Sequence, residues 1–351
     1  MNQSSALPDN LEQVAEFQHQ VTGVAVSETG RIFVNFPRWT EDTAVSVAEL
    51  GPDGQLKPYP NEEWNSWRNT KRDQVPPESH RVCVQSVVAD GNGNLWVLDP
   101  AAPATERVVK GGPKLVQIDM ASNEVAQVIA FDETVAPTAS YLNDVRFSPD
   151  GNRAYITDSG QGAIVIVDLA SGTAHRVLDG HPSTQPEKGV VVKTDGKELR
   201  RPDGRGALFA ADGIALSPDG KFLYWQALTG HTLYRIATSA LQDGHQPEDQ
   251  LASKVETVGK VGVSDGYWMD SRGNLYLSAL EENAIKLRKS DGSLSTLVQD
   301  ERLRWPDSFA QGPDGAMYVT TSRIMDNAQY NPDAPPQLNT QLWRFPAAAS
   351  S

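Results

Sequence analysis

Six polar residues of this chain occupy the same place in a recurring sequence pattern, and their side chains are of types that hold cations or transfer protons. Each lies eight residues before a glycine in a turn, and they are Thr22, Gln85, Asn143, Asp212, Asp265 and Asp307. Asp144 adds a further carboxyl group next to Asn143. Carboxylates that converge in one place repel one another, so such a group either retains a proton or binds a cation.

A divalent cation is one expectation for this group of residues. Carboxylate and amide oxygens suit Ca²⁺, Mg²⁺ or Mn²⁺ rather than Zn²⁺. The expected metal ligands are Asn143, Asp212 and Asp265. With such a cation bound, Asp265 is the expected catalytic residue, because a carboxylate beside a Lewis acid can take a proton from water.

A binding cavity without a metal is the other expectation. Its expected ligand-binding residues are Gln85, Asn143, Asp144 and Asp307. His80 and Arg81 belong to a loop that can reach the mouth of the cavity, where they would contact an anionic group. Each residue taken singly also has a structural alternative, since Asp and Asn at the start of a strand often bond only to the neighbouring backbone.

The pattern around these residues predicts the elements that position them. A polar residue, a short apolar strand, a Gly turn and a second strand with an aromatic residue recur six times, as in QSVVADGNGNLWV from Gln85. Asp-Gly and Asn-Gly turns supply the positive φ of tight hairpins. The units begin 42 to 69 residues apart, which leaves room for four short strands in each. We therefore expect an all-β fold, a six-bladed β-propeller whose innermost strands bring the polar residues to the central axis.

The two ends of the chain are expected to close this ring. The sixth unit has one strand fewer than the others, and residues 11–18 (LEQVAEFQ) form a strand-like segment ahead of the first unit. We expect this segment to pair with residues 341–345, which gives one domain over residues 7–346 and a disordered tail over residues 347–351. Two long loops, over residues 58–79 and 181–206, are either lids over the site or plain solvated insertions.

Composition limits the partners of the protein. A formal net charge of −14 disfavours nucleic acid and anionic membranes, and no stretch approaches the roughly 18 apolar residues of a membrane span. The single cysteine, Cys83, excludes an internal disulfide. We expect a small-molecule ligand or substrate and no obligate protein partner. The first residues lack the basic and apolar regions of a signal peptide, so both the cytoplasm and export with the signal removed stay open.

Several segments resemble the major royal jelly protein and yellow family. They are, among others, GNLWVLDP (93–100), YLNDVRFSPDG (141–151), ADGIALSPDGKFLYW (211–225) and SDGYWMDSRGNLYLS (264–278). The resemblance covers most of the chain from about residue 80 onward and implies a six-bladed propeller. Insect members are secreted, some bind small amines in the central cavity, and some are linked to dopachrome conversion. Because the disulfides of those secreted members cannot form here, the chain resembles a bacterial-type relative.

The ring of polar residues is more distantly similar to that of the gluconolactonase and regucalcin group. Proteins of that group hold a divalent metal with a Glu of the first unit, an Asn of the fourth and an Asp of the fifth. Asp265 matches that Asp, and Asn143 matches a third-unit Asn that contacts substrate. Asp212 replaces the Asn, and Thr22 replaces the Glu. The two resemblances imply a small-molecule binding protein that uses an axial polar cavity or, as the alternative, a metal-assisted hydrolase of lactones or related esters.

Overall fold

Five of the six sequence units each fold into an antiparallel sheet of four strands, the sixth unit supplies three strands of another such sheet, and the six sheets are the blades of a propeller. The computed structural model describes residues 10–242 and 247–349. The predicted fold class, an all-β six-bladed β-propeller, is confirmed.

The blades follow one another along the chain, except that the first strand, β1 (Glu12–Phe17), belongs to the last blade. Blade 1 consists of β2 (Val24–Val26), β3 (Ile32–Asn35), β4 (Val47–Leu50) and β5 (Leu56–Pro58). Blade 2 consists of β6 (Ser86–Ala89), β7 (Asn94–Asp99), β8 (Lys114–Asp119) and β9 (Glu124–Ala130). Blade 3 consists of β10 (Leu142–Phe147), β11 (Arg153–Asp158), β12 (Ala163–Asp168) and β13 (Ala174–Val177).

A small hairpin separates the two halves of the ring, formed by β14 (Lys193–Thr194) and β15 (Lys197–Glu198). Blade 4 consists of β16 (Ala211–Leu216), β17 (Phe222–Ala227), β18 (Thr232–Ala237) and β19 (Glu256–Lys260). Blade 5 consists of β20 (Tyr267–Met269), β21 (Leu275–Ala279), β22 (Ala284–Arg288) and β23 (Leu294–Gln299). Blade 6 consists of β24 (Pro306–Gln311), β25 (Met317–Thr321), β26 (Thr340–Phe345) and β1.

Helical structure is confined to short connections. The α-helix α1 (Glu248–Ala252) lies between β18 and β19. Single 3₁₀ turns cover Asn69–Lys71, Pro77–Ser79, Pro103–Thr105, Thr238–Leu241, Leu280–Glu282 and Ile324–Asp326. In the described part of the chain, no helix has the length and apolar character needed to cross a membrane.

Glycines shape both ends of the innermost hairpins. The six turn glycines of the repeat have φ between +70° and +84°, a region that favours glycine. At the axial end, a Cβ on Gly213 would collide with the backbone carbonyl of Asp265, and one on Gly266 would collide with that of Asp307. These two glycines therefore let adjacent blades approach closely beside the ring residues.

Pairing of the two chain ends closes the ring, as the sequence predicts. Strand β1 runs antiparallel to β26, with Glu12 opposite Arg344 and Phe17 opposite Thr340. Phe17 is buried and meets the ring of Phe36 edge to face, with the centroids 5.4 Å apart. The N-terminal strand is thus the outermost strand of a blade whose other three strands come from the C-terminal part of the chain.

The hydrophobic core lies between neighbouring blades. Tyr276 of blade 5 is fully buried and contacts Phe309 of blade 6, with ring centroids 6.5 Å apart. Trp96 of blade 2 packs on Phe147 of blade 3 in the same way, at 4.9 Å. Among the recurring aromatic residues, those at 33, 96, 155 and 276 are buried, whereas those at 224 and 318 are half-buried. The repeat therefore places its aromatic residue at a blade seam, but the depth of burial varies from unit to unit.

The start of the expected C-terminal tail contacts blade 5. The Ala348 N–H donates to the hydroxyl of Tyr276 at 2.9 Å, and Arg272 donates to the carbonyls of Ala348 and Ala349. These contacts hold the start of the tail against blade 5. Residues 350–351, and residues 7–9 at the start of the expected domain, lie outside the described residues.

Candidate functional site

The propeller axis contains two adjoining spaces where most of the ring residues meet. The larger is a cavity of about 200 Å³. The smaller, here called the inner chamber, has about 10 Å³, which is room for about one water molecule. The side chains that line both are Gln85, Asn143, Asp212 and Asp265. Asp144 and Asp307 line the inner chamber, so the structure brings together all six residues that the sequence suggests for ligand or metal binding on the axis.

Thr22 occupies the ring position of the first unit but lines neither space among the residues described. Its hydroxyl donates to the backbone carbonyl of Gln85 at 3.0 Å and accepts from the Asn35 side chain at 2.8 Å. Its own carbonyl accepts a hydrogen bond from Thr320 at 2.6 Å. Thr22 therefore connects three blades. This matches the structural alternative stated above for each ring residue, which is to bond the neighbouring backbone.

Asp212 and Asp265 form a buried carboxyl pair at the boundary between the cavity and the inner chamber. Their side chains hydrogen-bond to each other, which requires a proton between them. Burial raises the pKa of Asp265 to about 6, although the indole N–H of Trp305 donates to Oδ2 of Asp265 at 2.6 Å and opposes this rise. Burial and the charge of Asp265 raise the pKa of Asp212 well above its usual range. The pair therefore shares a proton that is held mainly by Asp212, and Asp265 is the member that ionises more readily.

The inner chamber contains two further carboxyl groups with different surroundings. Asp144 accepts from the Ser86 hydroxyl at 2.7 Å and forms an ion pair with Arg146 at 2.9 Å. Oδ1 of Asp307 accepts from the Ser308 hydroxyl at 3.1 Å, whereas its Oδ2 is buried without a hydrogen-bond partner. Burial and the neighbouring charge of Asp265 raise the pKa of Asp307 well above its usual range. Asp144 therefore has its own counter-charge, and Asp307 favours the protonated form.

The walls of the cavity are aromatic and apolar. The indole N–H of Trp39 donates to the Tyr141 hydroxyl at 2.6 Å, and that hydroxyl donates to Oε1 of Gln85 at 2.8 Å. This chain of hydrogen bonds fixes the orientation of Gln85. The remaining large apolar side chains of the wall are Leu208, Phe209, Leu228, Trp305 and Ile324. The cavity thus combines a carboxyl pair on one side with aromatic surfaces around it.

The loop over residues 181–206 reaches the site, whereas the loop over residues 58–79 does not appear among the residues that line it. From the first loop, Arg201 lines the cavity, followed in the chain by Leu208 and Phe209. We call residues 181–209 the strap. Sequence reasoning identified this loop as a possible lid but missed Arg201, because no periodicity indicates which residue of a long loop turns toward the axis.

His80 and Arg81 are not brought to the cavity. The ring of the half-buried His80 contacts the carbonyl of Pro76 at 2.8 Å. Arg81 is fully buried, and its guanidinium donates to the carbonyl of Tyr59. Burial lowers the pKa of Arg81 to about 9, while the carboxylate of Asp99 opposes this shift. The structure therefore places Arg81 within a buried group of charges rather than at the mouth of the cavity.

Asp99 is the carboxylate at the centre of this group. Its Oδ1 accepts from the backbone N–H of Cys83 at 2.9 Å and of Ala101 at 2.8 Å. Its Oδ2 accepts from the Val82 N–H at 2.7 Å and from the ammonium of Lys114 at 3.3 Å. Arg38 and Arg81 are also buried near it and interact with its charge. Asp99 thus interacts with three buried cationic side chains, of which Arg38 also pairs with Asp42 at 3.8 Å. We call Asp99 and these three cationic side chains the Asp99 cluster.

The residue types around the axis suit a divalent metal better than the arrangement of their side chains does. Within residues 10–242 and 247–349, no group of three or more His, Cys, Asp or Glu side chains is arranged to hold a metal ion. The set expected from the sequence, Asn143, Asp212 and Asp265, contains only two acidic residues, so this finding does not test it. One carboxylate oxygen of that set, Oδ2 of Asp265, is already bonded to Trp305.

The carboxyl pair predicts how stability depends on pH. Folding raises the pKa of Asp265 to about 6, so the folded state favours the protonated form. The resulting stabilisation is complete below about pH 4 and is lost as pH rises through 6, by roughly 2–3 kcal/mol. We expect the melting temperature of the ligand-free protein to fall over this range, and to fall less in Asp265→Asn. Asp291→Asn, an exposed change in the same blade, is the control, and parallel curves for all three proteins would contradict the assignment.

Comparison with known proteins relates this fold to two groups. The family model described as major royal jelly protein matches residues 82–348. Major royal jelly protein 5 of Apis mellifera is 24% identical over 320 residues, which cover 86% of this chain and 48% of that protein. A 6-deoxy-6-sulfogluconolactonase of Pseudomonas putida is 32% identical over 150 residues, which cover 42% of this chain and 50% of that protein. The chain thus spans about half the length of these two relatives.

Solved structures with the same fold have low sequence identity to the chain. A gluconolactonase of Xanthomonas campestris has a TM-score of 0.56 and 14% identity, and the match covers 98% of this chain and 91% of that one. A luciferin-regenerating enzyme has a TM-score of 0.57 and 13% identity, with 96% and 95% coverage. At such identities the similarity extends to the fold alone.

Proposed function

Because the chain belongs to the major royal jelly protein family, as the match over residues 82–348 shows, we propose that it binds a small molecule in the axial cavity and that this ligand is a cationic amine. The observation that carries the proposal is the buried pair of Asp212 and Asp265 beneath aromatic walls. An ammonium group would donate hydrogen bonds to the ionised Asp265 and supply the positive charge that this buried carboxylate lacks.

The walls and the size of the cavity support the same ligand class. Trp39, Tyr141 and Trp305 present aromatic surfaces to the cavity, and such surfaces attract cations and stack on flat rings. A cavity of about 150 Å³ in another protein is known to hold benzene. The 200 Å³ available here therefore suits one substituted aromatic ring with a short amine-bearing chain. The net charge of −14 also favours the approach of cations.

Titration calorimetry with phenethylamine and tryptamine at pH 7.5 tests this proposal. We expect Asp265→Asn to weaken binding roughly 10- to 100-fold, because the variant replaces a charge-assisted hydrogen bond with a neutral one. Affinity in the wild type should fall as pH is lowered through 6, since the carboxylate of Asp265 then becomes protonated. The control variant Asp291→Asn should bind like the wild type. Failure of the wild type to bind either amine would refute the amine proposal.

Hydrolysis of lactones is the second candidate function. A specific observation favours it, namely the raised pKa of Asp265 of about 6, which suits a general base near neutral pH. The relative from Pseudomonas putida is itself described as a lactonase. A divalent cation held by Asn143, Asp212 and Asp265 would supply Lewis-acid activation of a lactone carbonyl. In this function Asp265 would accept the proton of the attacking water.

Metal analysis and a lactone panel distinguish the two functions. For a hydrolase, the purified protein should contain about one divalent ion, and thermal stability should respond to Ca²⁺, Mg²⁺ or Mn²⁺. Hydrolysis should then be lost in Asp265→Asn and retained in Asp291→Asn. Amine binding without any hydrolysis or cation response would support the binding function alone.

A further inference from the structure

The cavity has charges of opposite sign at its two ends. Asp212 lies in the innermost strand of blade 4 and Asp265 just before that of blade 5, and both also line the inner chamber, so they lie at the deep end. Arg201 lines the cavity but not the inner chamber, and it comes from the strap rather than from a blade. These three are the acidic and basic side chains of the cavity lining among the residues described, and Asp212 shares a proton with Asp265. The lining is therefore dipolar, with the cation at the outer end.

The guanidinium of Arg201 has no carboxylate partner within the described residues. The nearby carboxylate of Asp203 instead bonds to Arg205, with Nε 2.7 Å from Oδ2. Arg201 lies over the ring of Tyr330, with Cζ 5.9 Å from the ring centroid. This contact holds the side chain beside the cavity, and because the Tyr330 hydroxyl can accept from only part of the five N–H donors of the guanidinium, donors remain for an anion.

The strap that carries Arg201 is fixed to the opposite side of the propeller. Asp195 accepts two hydrogen bonds from Arg304, at 3.1 and 2.9 Å, and Arg304 also bonds to Asp326. The N–H of Lys193 donates to the carboxylate of Glu281 at 2.7 Å. These contacts anchor the backbone of the strap that carries Arg201. An anchored residue loses less conformational entropy on binding a ligand than a residue of a freely moving loop.

From this arrangement we propose that Arg201 determines ligand specificity by binding an acidic group. The preferred ligand is then an aromatic compound with an ammonium group at one end and a carboxylate at the other. This inference rests on the proposed amine binding and adds the second charge. An α-amino acid does not meet the requirement, because its two charges are attached to one carbon and would both lie at the deep end, next to Asp265. The charges must be on opposite sides of the ring.

Calorimetry with four related probes tests the inference. The probes are phenethylamine, 4-(2-aminoethyl)benzoate, the neutral 4-(2-aminoethyl)benzamide and phenylalanine. In the wild type we expect the benzoate to bind roughly 10- to 100-fold more tightly than phenethylamine or the benzamide, as a charge-assisted bidentate contact provides. Phenylalanine should bind no better than phenethylamine.

Two variants separate this inference from the proposed function. Arg201→Gln should remove the advantage of the benzoate over the benzamide, while the control Lys197→Gln, an exposed change on the same strap, should leave that advantage intact. Equal binding of benzoate and benzamide in the wild type, or a benzoate advantage that persists in Arg201→Gln, would overturn the role of Arg201 while amine binding stands. If none of the probes binds the wild type, the proposed function and this inference both fail.

Discussion

Deletion of residues 1–18 is expected to lower the melting temperature by about 10 °C or more, because it removes β1 and opens the ring. The deletion removes the buried side chains of Leu11 and Phe17 and exposes the edge of β26. Loss of two buried side chains of this size costs at least about 5 kcal/mol. At roughly 2 °C per kcal/mol in a chain this large, the expected fall is about 10 °C.

A shorter deletion provides the control for this experiment. Removing residues 1–9 leaves all of β1, from Glu12 to Phe17, and should leave the melting curve unchanged. Calorimetric scans of the three proteins measure the difference directly. If the longer deletion melts like the wild type, β1 contributes nothing to closure and the ring is held by the other contacts of blade 6.

The Asp99 cluster predicts the largest effect of a single substitution. Asp99→Asn keeps the shape of the side chain but removes the buried carboxylate that interacts with all three cationic side chains of the cluster. It also introduces an NH₂ group where both carboxylate oxygens now accept hydrogen bonds from N–H donors. Breaking a buried charge pair in this way costs about 3–5 kcal/mol. We therefore expect strong destabilisation in urea denaturation.

Asp119→Asn is the matched control, because Asp119 lies at the end of β8 in the same blade and accepts only turn N–H groups from Ala121 and Ser122. Its substitution should cost less than about 1 kcal/mol. If Asp99→Asn unfolds at the same urea concentration as this control, the charges of the Asp99 cluster are not coupled, and Arg81 does not depend on Asp99.

The sequence predicts where each ring residue lies in the fold, but it does not predict which hydrogen-bond partners its side chain has. The spacing between ring residue and turn glycine was sufficient to place Asn143, Asp212 and Asp265 around the axis, because equivalent strands end at equivalent points. Thr22 has the same spacing, but its hydroxyl is used by Asn35 and Gln85. Asn35 lies in β3 and Gln85 just before β6, so only the folded chain shows that Thr22 is not available.

The positions of two arginines, Arg81 and Arg201, could not be predicted from the sequence. Arg81 follows a polar loop, and the composition of that loop suggests exposure. Its burial depends on the carbonyl of Tyr59 and the carboxylate of Asp99, which lie in other parts of blades 1 and 2. Arg201 shows the opposite case, since a residue of an apparently solvated loop contributes to the cavity. No periodic pattern in the sequence indicates that Arg81 is buried or that Arg201 lines the cavity.

The mixed origin of blade 6 has a consequence for the order in which the chain folds during its synthesis. Glu12 and Arg344, which are bonded across β1 and β26, are separated by 332 residues. At about 5–20 residues per second, the ribosome makes β1 roughly 20–60 s before its partner. Blades 1 to 5 can form from neighbouring hairpins as they emerge, but β1 must wait unpaired, and its outward-facing Glu12 and Glu16 discourage contact with other nascent chains in the meantime. Completion of the propeller therefore waits until β26 has left the ribosome.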